Sequence, residues 1–99
     1  MSSAIELDRA QIAEFCRRHG IRRLSLFGSV LTDRFGSDSD LDVLVEFGPD
    51  VRIGLLGMAR LEIELGKLVG RKVDLRTRED LSRYFRDKVV AQAEEQYAA

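Results

Sequence analysis

The amino-acid sequence predicts an α/β (α+β) fold, with one small mixed sheet of about three or more strands flanked by helices. Three observations carry that expectation. Segments of helical periodicity alternate with segments of strand periodicity in the order αβαβαβα. Breaks rich in glycine, proline and aspartate separate them. The 99 residues contain no internal repeat, low-complexity segment or linker, which points to a single domain over residues 1–99.

The first helix should start behind Asp8, a good N-cap, with Gln11 three residues on to complete a capping box. Leu7 and Ile12 are spaced for a hydrophobic staple. Ile12, Phe15 and Cys16 share the inward face, and Gly20 supplies a left-handed terminator. Cys16 therefore reads as a small core residue rather than a reactive thiol. His19 reads as a C-terminal cap rather than a general base.

Residues 22–27 form the first expected strand, with Leu24 and Leu26 on one face and Arg23, Ser25 and Phe27 on the other. Gly28-Ser29 breaks it, residues 30–35 suit a short helix, and residues 36–39 are turn formers. A second strand runs from Leu41 to Phe47 and closes at Gly48-Pro49-Asp50. Residues 54–69 read as the longest helix, with Leu55, Met58, Leu61, Leu65 and Leu68 as its apolar stripe and Gly70 as its C-cap. A third strand spans residues 72–77. A final helical region begins at Thr77 or Arg78, with Leu81, Tyr84, Phe85, Val89 and Val90 facing inward. The first two strands are connected by few residues, so their pairing is antiparallel or mixed; element order alone leaves this open.

Composition narrows the function classes. With 44% hydrophobic and 33% charged residues the chain suits a globular protein with a mostly ionic surface. Its 16 basic and 17 acidic residues nearly cancel, so no bulk attraction to nucleic acid or membrane follows, and direct nucleic-acid binding is not expected. No apolar run approaches the roughly 18 residues that span a bilayer. The N-terminus lacks the pattern of a signal peptide. A single cysteine excludes an internal disulfide. These features together suggest a cytoplasmic protein.

The chemistry concentrates on three acids. Asp40 and Asp42 lie two apart at the start of an otherwise apolar strand, so both carboxylates face the same way. Leu41, Val43, Val45 and Phe47 occupy the other face. Adjacent carboxylates near a core are costly unless paired or bound to metal, and magnesium favours such hard oxygen ligands. Asp74 lies between Val73 and Leu75 in the third strand. If that strand neighbours the second, three carboxylates could hold two magnesium ions about 3.5–4 Å apart for in-line phosphoryl displacement. Gly28 at the strand-to-helix turn lets backbone approach a phosphate, and the first amides of the helix favour an anion. Ser29 could donate to a phosphate oxygen or act as a helix N-cap.

Gly28-Ser29, ten intervening residues, Asp40-Leu41-Asp42 and then Asp74 follow the signature of the DNA polymerase β-like nucleotidyltransferase superfamily. More closely, LFGSVLTDRFGSDSDLDVLVEF, LLGMARLEIELGKLVG and RKVDLRT resemble the minimal nucleotidyltransferase (MNT) family, from about Ile21 to the last helix. That resemblance implies a nucleotidyltransferase fold and a Mg2+-dependent enzyme using ATP. Gly28 and Ser29 would bind the triphosphate, Asp40 and Asp42 would ligate both metals, and Asp74 would complete the metal on the nucleophile side. It also implies a partner. Such proteins are commonly antitoxins that transfer AMP to a tyrosine of a HEPN-domain ribonuclease toxin.

One departure stands out. Many members carry arginine after the Gly-Ser pair where this chain has Val30, which would remove a phosphate-neutralising charge. Arg34 could compensate or could be a solvated surface residue. Asp38 and Ser39 would shape the turn. Arg71, Lys72, Arg76 and Arg78 flank the Asp74 strand, either as a solvated rim or as contacts for triphosphate or partner. Two rival expectations remain: a binding-only antitoxin that neutralises its toxin by contact, or a nucleotidyltransferase acting on RNA or a small molecule.

Overall fold

A computed structural model describes residues 7–32, 35–36 and 39–99. Helix α1 (Arg9–His19) starts where Asp8 accepts hydrogen bonds from the amides of Ala10 and Gln11, at 3.0 and 3.2 Å. It ends at Gly20, whose φ of 69° is left-handed. Strand β1 (Ile21–Phe27) follows at once, and a single 3-10 turn (Gly28–Leu31) leads away from it. Strand β2 (Leu41–Phe47), helix α2 (Leu55–Val69) and strand β3 (Val73–Thr77) complete the central unit.

The sheet has the order β3-β2-β1-β4, where β4 is Glu94–Ala98. β1 pairs antiparallel with β2, and β2 pairs parallel with β3, so the sheet is mixed. Parallel pairing needs a crossover, which α2 provides. Leu24 and Leu26 of β1, Leu41, Val43 and Val45 of β2, and Val73 and Leu75 of β3 share one face. Onto it pack Ile12, Phe15 and Cys16 of α1 and Leu61 and Leu65 of α2. Each fully buried aliphatic or aromatic side chain there contributes roughly 1.5–3 kcal/mol. Burial pushes the Cys16 thiol up to about 12, so it behaves as packing rather than as a nucleophile. His19 and Arg18 both reach Glu64 on α2, at 3.0 and 2.8 Å, and tie the two helices together.

Several expectations need correcting. The short helix expected over residues 30–35 is a 3-10 turn that begins two residues earlier and ends at Leu31. Its N-cap is Phe27, so Ser29 lies inside the turn and is not a cap. Leu55 is not part of the inward stripe of α2; it is 91% exposed. It lies about 120° around the helix from Leu61 at roughly 100° per residue, too far to share that face. The expected C-terminal helix is interrupted. Thr77 and Asp80 close a capping box around a 3-10 turn (Arg78–Asp80), and α3 covers only Arg86–Gln92. Tyr84, Phe85 and Val90 are exposed rather than core. A fourth strand, β4 (Glu94–Ala98), was not expected; it pairs antiparallel with β1 at the sheet edge. Arg34 and Asp38 lie outside the described residues. No helix among the described residues is long and apolar enough to cross a membrane.

Candidate active site

The face of the sheet opposite α1 and α2 carries the acids. Asp42 sits in β2 with Phe27 of β1 as its ladder partner on one side and Asp74 of β3 as its partner on the other. Asp40 immediately precedes the strand, near enough for its charge to act on Asp42. The structure thus brings the three acids expected from sequence to adjacent positions.

Gly28 completes one wall. Its φ of +76° is left-handed, and a Cβ there would run into the carboxylate of Asp42, whose Cγ would lie 3.1 Å away. The glycine is needed because an acid occupies the space beside it, a reason distinct from phosphate approach. The Ser29 backbone N–H donates to the Asp42 carboxylate.

The acids perturb one another. Asp42 is half-buried, and its pKa is raised above the ordinary carboxylate range. Burial is the largest cause, followed by the charges of Asp74 and Asp40; Arg76 and the Ser29 amide oppose the shift. Asp74 is held by a guanidinium fork, with Arg76 Nε at 3.1 Å and a terminal nitrogen at 3.3 Å. That contact holds the Arg76 pKa above its ordinary value. Lys72 Nζ lies 4.0 Å from Asp40.

The other basic residues divide. Arg78 pairs with Asp87 at 3.1 Å, away from the acids. One terminal nitrogen of Arg71 donates to the carbonyls of Gly36 and Ser39, both at 3.1 Å, and its guanidinium lies 4.3 Å from the Phe35 ring centroid. Of the two expectations for Arg71 and Arg76, a solvated rim or contacts for triphosphate or partner, neither includes these intramolecular bonds. No local signal marks the Arg71 contacts, which span more than 30 residues; the Arg76 spacing of two from Asp74 was visible.

Val30 is 1% exposed and belongs to the core. Its side chain packs with the buried apolar residues rather than with the acids.

Three carboxylates on one face form an all-oxygen donor set suited to magnesium. Among the described residues no three acidic, histidine or cysteine side chains are already gathered as a metal-binding group. Asp74 is turned into the Arg76 fork and Asp40 has Lys72 nearby, as expected of like charges that find separate counterions. Both acids are partly exposed, so their side chains have room to turn toward Asp42. Beside Gly28 a cavity of about 880 Å3 opens, walled by Phe27, Leu31, Val89 and Ala93 with Thr32 and Gln92 at polar positions. Its volume is in the range that takes small molecules.

Comparison with known proteins agrees with this geometry. Residues 9–98 match the family described as the nucleotidyltransferase domain. A candidate protein adenylyltransferase of Methanocaldococcus jannaschii is 33% identical over 85 residues, covering 86% of this chain and 89% of its own. A solved structure of a candidate minimal nucleotidyltransferase is 38% identical with a TM-score of 0.70, covering 86% of this chain and 85% of its own. A tri-AMPylated Shewanella oneidensis HEPN toxin in complex with an MNT antitoxin aligns with a TM-score of 0.64 at 20% identity, covering 92% of this chain and 70% of that one. At that identity the last likeness speaks for fold alone.

Proposed function

The chain belongs to the nucleotidyltransferase domain family, and from that premise we propose that it is a Mg2+-dependent protein adenylyltransferase. In this reading it is the antitoxin of a HEPN ribonuclease toxin and transfers AMP from ATP to a tyrosine of that partner in the cytoplasm. The observation that carries the reaction class is the pairing of Asp42 with Asp74 across the β2–β3 ladder, with Gly28 against Asp42 on the other side. The likeness to a relative described as a candidate protein adenylyltransferase supports a protein acceptor.

Asp40 and Asp42 would hold both metal ions, and Asp74 would complete the site on the acceptor side. Bound magnesium supplies Lewis-acid stabilisation of charge on the triphosphate and activation of the attacking hydroxyl. The chain's own residues arrange the rest. Gly28 keeps the backbone close to Asp42, and the Ser29 amide fixes the Asp42 carboxylate while its hydroxyl is available to a phosphate oxygen. The tyrosine oxygen bonds to the α-phosphorus as the bond to pyrophosphate breaks in line. Asp74 takes the hydroxyl proton, once Arg76 has turned from it. The cavity beside Gly28 offers apolar walls to the nucleoside.

The test is incubation with the HEPN partner, magnesium and ATP, read by intact-protein mass spectrometry. A gain of one or more AMP masses on the partner, absent with Asp42→Asn, is expected. A tight complex without mass gain would replace this reading with neutralisation by contact. Label on RNA and none on protein would replace the acceptor.

A further inference from the structure

Asp40 lies outside the ladder that positions Asp42 and Asp74. β2 begins at Leu41, so no strand pairing fixes the residue before it. Two carboxylates that share metal ions must nevertheless hold their geometry to within about 0.5 Å. Something other than the sheet has to hold Asp40.

The turn between α2 and β3 does so from both sides. The carbonyl of Ser39, which forms the peptide entering Asp40, accepts a hydrogen bond from Arg71 at 3.1 Å. The amide of Leu41, which leaves Asp40, donates to the Lys72 carbonyl at 2.9 Å. The same Arg71 nitrogen also reaches the Gly36 carbonyl. Gly36 and Ser39 close on each other, the Ser39 amide donating to the Gly36 carbonyl and the Gly36 amide to the Ser39 hydroxyl, both at 3.1 Å. Phe35 stacks beneath the guanidinium. Arg71 in turn is anchored, because its amide donates to the Gly66 carbonyl at the end of α2. A Cβ at Gly66 would lie 3.1 Å from the Arg71 carbonyl, so the small residue lets the turn sit close against the helix.

We infer that Arg71 is a positioning residue for Asp40: it clasps the turn before β2 to the end of α2, so that the Asp40 carboxylate is presented beside Asp42 to a divalent metal. The inference rests on the proposed metal role of Asp40. In this role Arg71 spends its guanidinium on the Gly36 and Ser39 carbonyls and the Phe35 ring rather than on metal or nucleotide. Its effect is on how much of the time Asp40 is in place, and so on metal affinity ahead of the chemical step.

The experiment measures Mn2+ binding by electron paramagnetic resonance, with a non-hydrolysable ATP analogue present, on the whole chain and on Arg71→Ala, Arg71→Lys and Asp40→Asn. Removal of an outer contact of this kind typically weakens metal binding 10–100-fold. Arg71→Ala should therefore raise the Mn2+ Kd at least about tenfold, with amide exchange at Gly36, Ser39 and Leu41 accelerated and the melting temperature retained. Arg71→Lys, which keeps a donor for the two carbonyls, should recover part of the affinity. Unchanged Mn2+ affinity in Arg71→Ala beside weakened binding in Asp40→Asn would overturn the inference and leave the metal site standing. Unchanged affinity in Asp40→Asn would overturn both. If Arg71→Ala does not fold, the comparison is made with Arg71→Gln and Arg71→Lys. Identical Mn2+ affinity in those two and the native chain counts against the clasp.

Discussion

Replacing Asp42 with asparagine should abolish nucleotidyl transfer and yet make the metal-free protein more stable. Asp42 faces Asp74 across a ladder in which neighbouring strands lie roughly 4.8 Å apart. Two unit charges about 5 Å apart repel by roughly 0.8 kcal/mol in water and about 3 kcal/mol at an effective dielectric constant near 20. Asp42 is half-exposed and Arg76 offsets part of the repulsion, so the lower end applies, and ~1 kcal/mol should be released. Asparagine keeps the volume and can still accept from the Ser29 amide. For a domain of this size that release corresponds to a rise in Tm of roughly 4–8 °C.

The pH dependence carries a sign. The folded-state pKa of Asp42 is raised, so the native state binds its proton more tightly than the unfolded chain. The handicap of the native chain is therefore present above the raised pKa and disappears below the ordinary value near about pH 4. Differential scanning calorimetry in EDTA should show Asp42→Asn melting higher at neutral pH, with the gap closing on acidification. Adding Mg2+ with ATP should stabilise the native chain and leave the variant unmoved. A variant that melts at or below the native temperature in EDTA at neutral pH would refute the electrostatic account of the site.

Two further substitutions probe the surroundings. Gly28→Ala places a methyl group against the Asp42 carboxylate and forces a left-handed φ that costs an L residue roughly 1–2 kcal/mol; urea denaturation should show a loss of about 1–3 kcal/mol, and equilibrium dialysis should show weakened ATP binding. Native stability with native ATP affinity would contradict the packing described. Val30→Arg buries a charge in the core and should cost more than about 3 kcal/mol or prevent folding; a folded variant with tighter ATP binding and an unchanged melting temperature would show that position 30 faces the phosphates after all.

The parts of the fold that were legible are those whose side chains report their own surroundings. Asp8 and Gly20 bracket α1 because each satisfies backbone groups that a helix end leaves open. Leu41, Val43 and Val45 announce a buried strand face, and the acids at 42 and 74 stand out as charges inside apolar runs, with Asp40 at the edge of one. β4 gave no such signal. Glu94–Ala98 joins the sheet through backbone hydrogen bonds to β1, and its side chains are mixed because an edge strand needs no continuous apolar face. The pattern over residues 81–90 imitates a helix stripe, but tertiary contacts cover only part of it. The second reason for Gly28 lies in a partner fourteen residues away, and the Arg71 clasp in partners more than 30 residues away. Spacing along the chain carries neither.

β3 is the last strand on its side of the sheet. Its outer edge has no strand partner among the described residues, and Asp74 stands on it, partly exposed and held by Arg76. Under the proposed function, the tyrosine of a folded partner would come in sideways along that edge toward Asp74, its bulk staying outside the sheet. The open edge of β3 thus offers the proposed reaction an approach that needs no tunnel through the sheet.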